Sequence, residues 1–274
     1  MNISQNNFIF EQLKTRTMKT ILILLLLVAA MTSQSQNKFI AHRGASYLAP
    51  ENTVASAKLA WELDADAVEV DVHLSKDNRV MVIHDKDTKK TCNGKKNLDI
   101  KKTPSLVLRD LDAGIWKSDE FKGEKIPFIE EIIQTVPENK TLVIEIKCGP
   151  EVLPPLQLAI EKSGKVQQIV FIAFDFGTIV ETQKTFPENK TYWLSSWKPG
   201  EKKLDEVVKA GLTGINIRHA AIDESLMEAA KARNLEVLTW TVDDPEEAKR
   251  LTNIGVTGIT TNRPKWLKEE MAKK

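Results

Sequence analysis

The chain has 274 residues, 42% hydrophobic and 28% charged, with two cysteines. That composition suits a globular protein with a sizeable core. A net charge of +1 gives no reason to expect nucleic acid as a partner, so any electrostatic preference must come from a local patch.

The amino end stands apart. "MKTILILLLLVAAMTSQSQ", beginning at Met18, carries one lysine, an apolar run from Ile21 to Ala30, and then small polar residues. A run of that length falls short of the roughly 20 residues that span a bilayer. It fits the core of a secretory signal, with Ser33 and Ser35 near a plausible cut. The expectation is a leader and signal peptide over 1–36 and a folded domain over 37–274, exported to the periplasm or the exterior. No stable membrane insertion is expected after cleavage. No cysteine follows the apolar run, so lipid attachment there is not expected. Cys92 and Cys148 are too few for a disulfide-built scaffold; free thiols are the plain expectation and a single pairing the alternative.

After the leader, short apolar runs alternate with amphipathic stretches. The runs are "KFIAHRG", "AVEVDV", "VMVIHD", "TLVIEIK", "IVFIAF", "TYWLSS", "GINIRH", "EVLTWTV" and "GITTN". Between most of them lie helical patterns such as "NTVASAKLAWELDA" and "DESLMEAAKARN". Such alternation implies a parallel sheet covered by helices. A fragment recurs, "TVPENKTLV" and "TFPENKTYW", each at a helix-to-strand junction, which hints at a repeated βα unit. Nine strands exceed a (βα)8 barrel by one. Only "HLSKDNR" separates the second and third runs. A parallel crossover needs about a dozen residues or more, so these two must form an antiparallel hairpin. Asn78 suits a left-handed turn position there. The fold class expected is therefore a (βα)8 TIM barrel with a β-hairpin and an inserted loop at its mouth. The insertion, about 86–125, shows no clear strand and many lysines, and reads as a solvated surface with attraction of an anionic substrate as the functional alternative.

Active sites of such barrels lie at the C-terminal ends of the strands, and several strand ends here carry residues that a core would reject. His42 and Arg43 end the first, and Glu69 and Asp71 interrupt the second. His84 ends the hairpin return, Glu145 and Lys147 end the third parallel strand, and Trp240 ends the seventh. Spacing of i and i+2 puts Glu69 and Asp71 on one face, and Glu145 and Lys147 on one face. Three converging carboxylates repel one another and raise each other's pKa, unless a cation neutralises them. An all-oxygen set suits one hard divalent cation, Mg²⁺ or Ca²⁺. Arg43 and Lys147 add donors for phosphate oxygens. Two histidines divide proton donation and acceptance, since an imidazole titrates near neutrality. The constellation is that of phosphodiester cleavage. His73 shares the parity of Glu69 and Asp71 but lies farther out and reads as surface; His219 ends the sixth parallel strand and is a further candidate for the pocket.

"AHRGASYLAPENT", "VEVDVHLSKD", "VIHD", "EIK" and "WTV", in this order and spacing, resemble the glycerophosphodiester phosphodiesterase family from about Phe39 to Pro264. The resemblance implies metal-dependent hydrolysis of small glycerophosphodiesters to sn-glycerol 3-phosphate and an alcohol. It implies Glu69, Asp71 and Glu145 as metal ligands and His42 and His84 as the acid–base pair. Arg43 and Lys147 would bind phosphate, and Trp240 would flank the glycerol. Glu51, in "PENT", would steady Arg43 or the loop into the first helix and stays outside the ligand set. Departures from the family pattern are Asp64 and Asn78 at glycine positions, Ala173 for a serine, and Asn262 for an aspartate. The rival readings are a phospholipase on the same barrel, of the lysophospholipase D or phosphatidylinositol phospholipase C kind, and a non-catalytic binder of phosphorylated glycerol compounds.

Overall fold

The computed structural model describes residues 38–92 and 97–273; the leader expected over 1–36 lies outside them. Eight parallel strands close a barrel: β1 (Lys38–Ala41), β2 (Ala67–Leu74), β4 (Thr141–Ile146), β5 (Ile169–Ala173), β6 (Lys190–Ser195), β7 (Gly214–Arg218), β8 (Glu236–Trp240) and β9 (Gly258–Thr261). The ring shuts because β1 pairs with both β2 and β9. β3 (Val80–Val82) runs back antiparallel on β2, with Val72 opposite Val82. The fold is the expected (βα)8 barrel with a hairpin at its rim.

One helix fills each crossover: α1 (Val54–Glu62), α3 (Ile129–Thr135), α4 (Leu153–Ser163), α5 (Phe176–Thr185), α6 (Glu201–Lys209), α7 (Glu224–Lys231) and α8 (Pro245–Asn253), with α9 (Pro264–Ala272) after the last strand. A further short helix, α2 (Ser105–Arg109), lies in the insertion.

Strand parity divides the core in two. Val68, Val70, Val72, Leu142, Ile144, Ile146 and Phe171 face outward onto the helices. Ile40, Ala67, Val143, Ile172, Tyr192, Leu194 and Leu238 fill the barrel interior. Each fully buried valine or isoleucine contributes about 1.5–3 kcal/mol relative to exposure, so both faces of β2 hold it in register.

Local chemistry fixes the turns. Asn78 has φ 59° and Asp64 φ 57°, left-handed positions where both stand in for glycine. Gly44 has φ 80°, and a Cβ there would lie 2.6 Å from the Ser56 carbonyl carbon, so no other residue fits without displacement. Thr53 caps α1, its hydroxyl accepting from the Ser56 N–H, while Ser56 accepts in return from the Thr53 N–H.

The insertion is more ordered than its lysines suggest. Besides α2 it carries an antiparallel bridge between Asp87 and Asp99. Ile100, Leu108, Ala113 and Ile126 close over Met81 and Ile83 as a separate apolar cluster. Cys92 is buried in that cluster, and both cysteines are free thiols.

Candidate active site

The inward parity that fills the lower barrel with apolar residues continues upward into a polar rim. Glu69 and Asp71 follow Ala67 on β2, Glu145 and Lys147 follow Val143 on β4, and His42 follows Ile40 on β1. Ligand oxygens of Glu69, Asp71 and Glu145 lie within 4.8 Å of one another. Glu69 and Asp71 are only 2% and 1% exposed.

The loops after β1 hold these carboxylates in place. Arg43 adopts φ 56°, and its backbone N–H donates to Glu69 Oε2 at 2.9 Å. Asn52, at φ 59°, donates from Nδ2 to Asp71 Oδ2 at 2.8 Å and accepts from the Asp71 N–H at 3.1 Å. Two non-glycine residues in the left-handed region beside one cluster are strain held by the surrounding structure. Even so, Glu69 Oε1 and Asp71 Oδ1 are buried with no hydrogen-bond partner.

Electrostatics sharpen the picture. Burial, then the charges of Asp71 and Glu145, push the Glu69 carboxyl well above its usual range. Burial and Asp71 push Glu145 up to about 7. For Asp71, burial acts upward, but Arg43, His84, Lys147 and Asn52 outweigh it and lower the pKa. Glu69 and Glu145 thus favour holding protons while Asp71 favours the charged form. A hard cation would relieve the repulsion and take these oxygens as its ligands, so the residues fit the divalent ion expected.

Around the acids stands a cavity of about 130 Å³ lined by His42, Arg43, His84, Lys147, Phe174 and Trp240 among others. His84 Nδ1 is 2.6 Å from Asp85 Oδ1, and Lys147 Nζ is 3.2 Å from His84 Nε2. Lys147 also donates to Glu145 at 2.7 Å. Arg43 donates to Glu51 at 2.9 Å, the steadying role expected of that glutamate. Trp240 and Phe174 pack edge to face with ring centroids 5.5 Å apart, closing an apolar wall. All eight site residues expected from the sequence thus gather at one barrel mouth.

Two histidines lie differently from expectation. His73 is not a bare surface residue: it is half-buried, and its Nε2 lies 3.0 Å from the carbonyl oxygen of His84. It therefore braces the segment that carries a site imidazole. His219 turns to Glu247, with Nδ1 2.8 Å from Oε1, and does not line the cavity. The contacts of Asn52 and Asp85, and the place of Asn216 in the cavity lining, go beyond the sequence expectations. Only Asp85 had a local signal, its place beside His84 in "VIHD".

A family model described as "Glycerophosphoryl diester phosphodiesterase family" matches residues 42–266. The chain belongs to this family. Glycerophosphodiester phosphodiesterase from Caldanaerobacter subterraneus subsp. tengcongensis is 32% identical over 236 residues, covering 83% of this chain and 95% of the relative. A phosphodiesterase from Oleispira antarctica, solved with the product sn-glycerol-3-phosphate, superposes with a TM-score of 0.79 at 28% identity, covering 86% of this chain and 97% of the other. Glycerophosphodiester phosphodiesterase from Thermotoga maritima gives a TM-score of 0.72 at 26% identity, with coverage of 86% of this chain and 98% of the other. The glycerophosphodiester phosphodiesterase family is a family of enzymes, and its matched region includes both site imidazoles and all three carboxylates, so the binder reading gives way to an enzyme.

Proposed function

We propose that the protein hydrolyses small glycerophosphodiesters to sn-glycerol 3-phosphate and an alcohol, with one divalent cation and the His42–His84 pair. One observation carries the reading: Glu69, whose Oε1 is buried without a hydrogen-bond partner, and Glu145 line a cavity flanked by two imidazoles, with Asp71 behind them in the same acidic cluster. Glu69, Asp71 and Glu145 would hold Mg²⁺ or Ca²⁺, which would supply charge stabilisation for a phosphoryl oxygen.

The chain's own groups account for the rest. Arg43, whose Nε lies 3.4 Å from Asp71 Oδ2, and Lys147, whose ammonium bonds Glu145, both line the cavity as cationic donors that a phosphate oxygen would meet. Trp240 and Phe174 form the apolar wall against which a glycerol carbon chain rests. One imidazole takes the proton of a glycerol hydroxyl as its oxygen bonds phosphorus. The other protonates the departing alkoxide as the old P–O bond breaks. Water then opens the cyclic phosphate with the two roles exchanged. The product bound in the Oleispira antarctica relative supports glycerol 3-phosphate as the retained half.

The phospholipase alternative is not favoured. An apolar groove of about 330 Å³ lined by Tyr47, Leu48 and Trp266 exists, but it shares no lining residue with the cavity that holds the acids. Export remains part of the proposal on the amino-terminal sequence alone; sequencing the mature amino terminus tests it.

The decisive test is a coupled assay of glycerol 3-phosphate release from glycerophosphocholine and glycerophosphoethanolamine, with EDTA and then Mg²⁺ or Ca²⁺ restored. His42→Ala is expected to lower kcat by about 10²–10⁴-fold in a protein that remains folded. A folded His42→Ala enzyme at near-normal rate, or full activity in EDTA, overturns the proposal.

A further inference from the structure

The two site imidazoles have different partners at Nδ1. His84 Nδ1 faces a carboxylate, that of Asp85. His42 Nδ1 faces an amide oxygen, Asn262 Oδ1, at 2.8 Å, from a residue 220 positions away.

The orientation of that amide is dictated by its other neighbours. Asn262 Nδ2 lies 2.6 Å from Asp243 Oδ2, and a carboxylate only accepts, so the NH₂ group must point there. Asp243 is itself fixed: its Oδ1 accepts from the Thr261 hydroxyl and from the Asn262 backbone N–H, each at 2.8 Å. The amide oxygen is thereby turned toward the Ser46 hydroxyl, 3.2 Å away, and toward His42. An amide oxygen also only accepts. His42 Nδ1 must therefore carry the hydrogen, which leaves Nε2 bare in the neutral ring.

We propose that Asn262 is a positioning residue that locks His42 as the Nδ1–H tautomer, so that its Nε2 lone pair faces the cavity and takes the first proton. This rests on the two-histidine reading above. The bond formed is Nε2–H and the bond broken is the O–H of the attacking glycerol hydroxyl, whose oxygen then bonds phosphorus. Other charged groups act on His42 as well. Burial, then Arg43, hold its pKa below the ordinary value against the opposing influence of the Asn262 hydrogen bond, Asp71 and Glu51. That favours the neutral ring an acceptor must be. Asp243 is what makes an amide necessary at position 262, because a carboxylate there would face a second carboxylate at hydrogen-bond distance.

The arrangement yields a test that a merely structural role would not satisfy. The chain has four histidines, so ¹⁵N-correlated NMR resolves the His42 ring without recourse to activity. Wild-type protein is expected to show Nδ1 protonated and Nε2 bare, and Asn262→Ala to show a mixture of tautomers. In kinetics, Asn262→Ala is expected to lower kcat by about 10–100-fold with KM little changed. Asn262→Asp is expected to be impaired by its clash with Asp243. The exchange Asn262→Asp with Asp243→Asn restores donor and acceptor, and should recover most of the loss. Its kcat/KM profile should have the acid limb moved to higher pH, because a carboxylate now faces His42. A wild-type ring protonated at Nε2, or a folded double variant no better than Asn262→Asp alone, overturns the proposal. If His42→Ala keeps full activity while the NMR result stands, the two-histidine reading fails and the tautomer assignment survives.

Discussion

Two layers of one barrel interior show how this fold separates stability from chemistry. In the lower layer Ile40, Ala67, Val143, Ile172 and Leu238 meet across the axis. Two residues further along the same strands stand His42, Glu69, Glu145, Phe174 and Trp240. Backbone geometry and parity are shared; only the side chains change. The lower layer gains free energy from burial alone. The upper layer buries carboxylates that repel, and it persists because neighbouring loops supply Arg43, Asn52 and Lys147. The site is therefore a local cost carried by the rest of the barrel, and the divalent cation proposed for it would remove that cost.

Moving one acidic group down a layer should break that separation. Val143 sits opposite Glu69 in the β2–β4 ladder, two residues below Glu145. Val143→Asp would bury a carboxyl with no donor in an apolar layer, at a cost of several kcal/mol. That is a large share of the roughly 5–15 kcal/mol that holds a domain together. The variant should be unfolded or aggregated by circular dichroism and urea titration. A cooperative transition at the wild-type midpoint would show that the lower layer tolerates charge, and the comparison would lose its basis.

The same parity explains what the sequence revealed. "AVEVDV" declares its carboxylates because they alternate with valines, and a seven-residue gap leaves a hairpin as the only connection. Both features are local, and the structure keeps both. The contacts that went unread are long-range. Asn262 reaches His42 only because β9 closes on β1. Asn52 clasps Asp71 only because the loop after β1 turns left-handed twice. His73 meets the His84 carbonyl through the hairpin register, and Glu247 claims His219 from the next crossover helix. The insertion was opaque for another reason: Ile100, Leu108, Ala113 and Ile126 have neither helical nor strand periodicity, so lysines dominate the reading.

A smaller effect sharpens the comparison through pH. Glu145 is raised from 4.5 to about 7 in the folded chain, so the unfolded chain gives up this proton first. The stabilisation from its protonated form is present below pH 4.5 and is lost as pH rises through about 7. At about 1.4 kcal/mol per unit this amounts to roughly 3 kcal/mol, with Glu69 shifted in the same direction. A cation competes with those protons. The rise in Tm on adding Mg²⁺ or Ca²⁺ should therefore be larger near pH 8 than near pH 5.5, while Ile40, Ala67, Val143, Ile172 and Leu238 below have no group to titrate. Glu145→Gln should flatten the pH dependence of metal-free stability. Equal Tm shifts at both pH values would mean that the acids are not relieved by the ion.

The smallest effect lies where the insertion touches the upper layer. Lys90 donates to both oxygens of Glu51, at 3.0 and 2.9 Å, and Glu51 in turn holds Arg43. Lys90 is 47% exposed, so the pair is worth about 0.2–1 kcal/mol. Lys90→Ala should lower kcat/KM by no more than about fivefold, since 1 kcal/mol is worth that factor. Lys89 is exposed and forms no comparable pair with Glu51, its backbone N–H instead bonding Asp87. The two lysines therefore separate a clamp from a field. Loss at Lys90 alone identifies a clamp on Glu51. Equal, salt-sensitive loss in Lys89→Ala and Lys90→Ala identifies attraction of the anionic substrate, because a field depends on summed charge and not on which lysine supplies it.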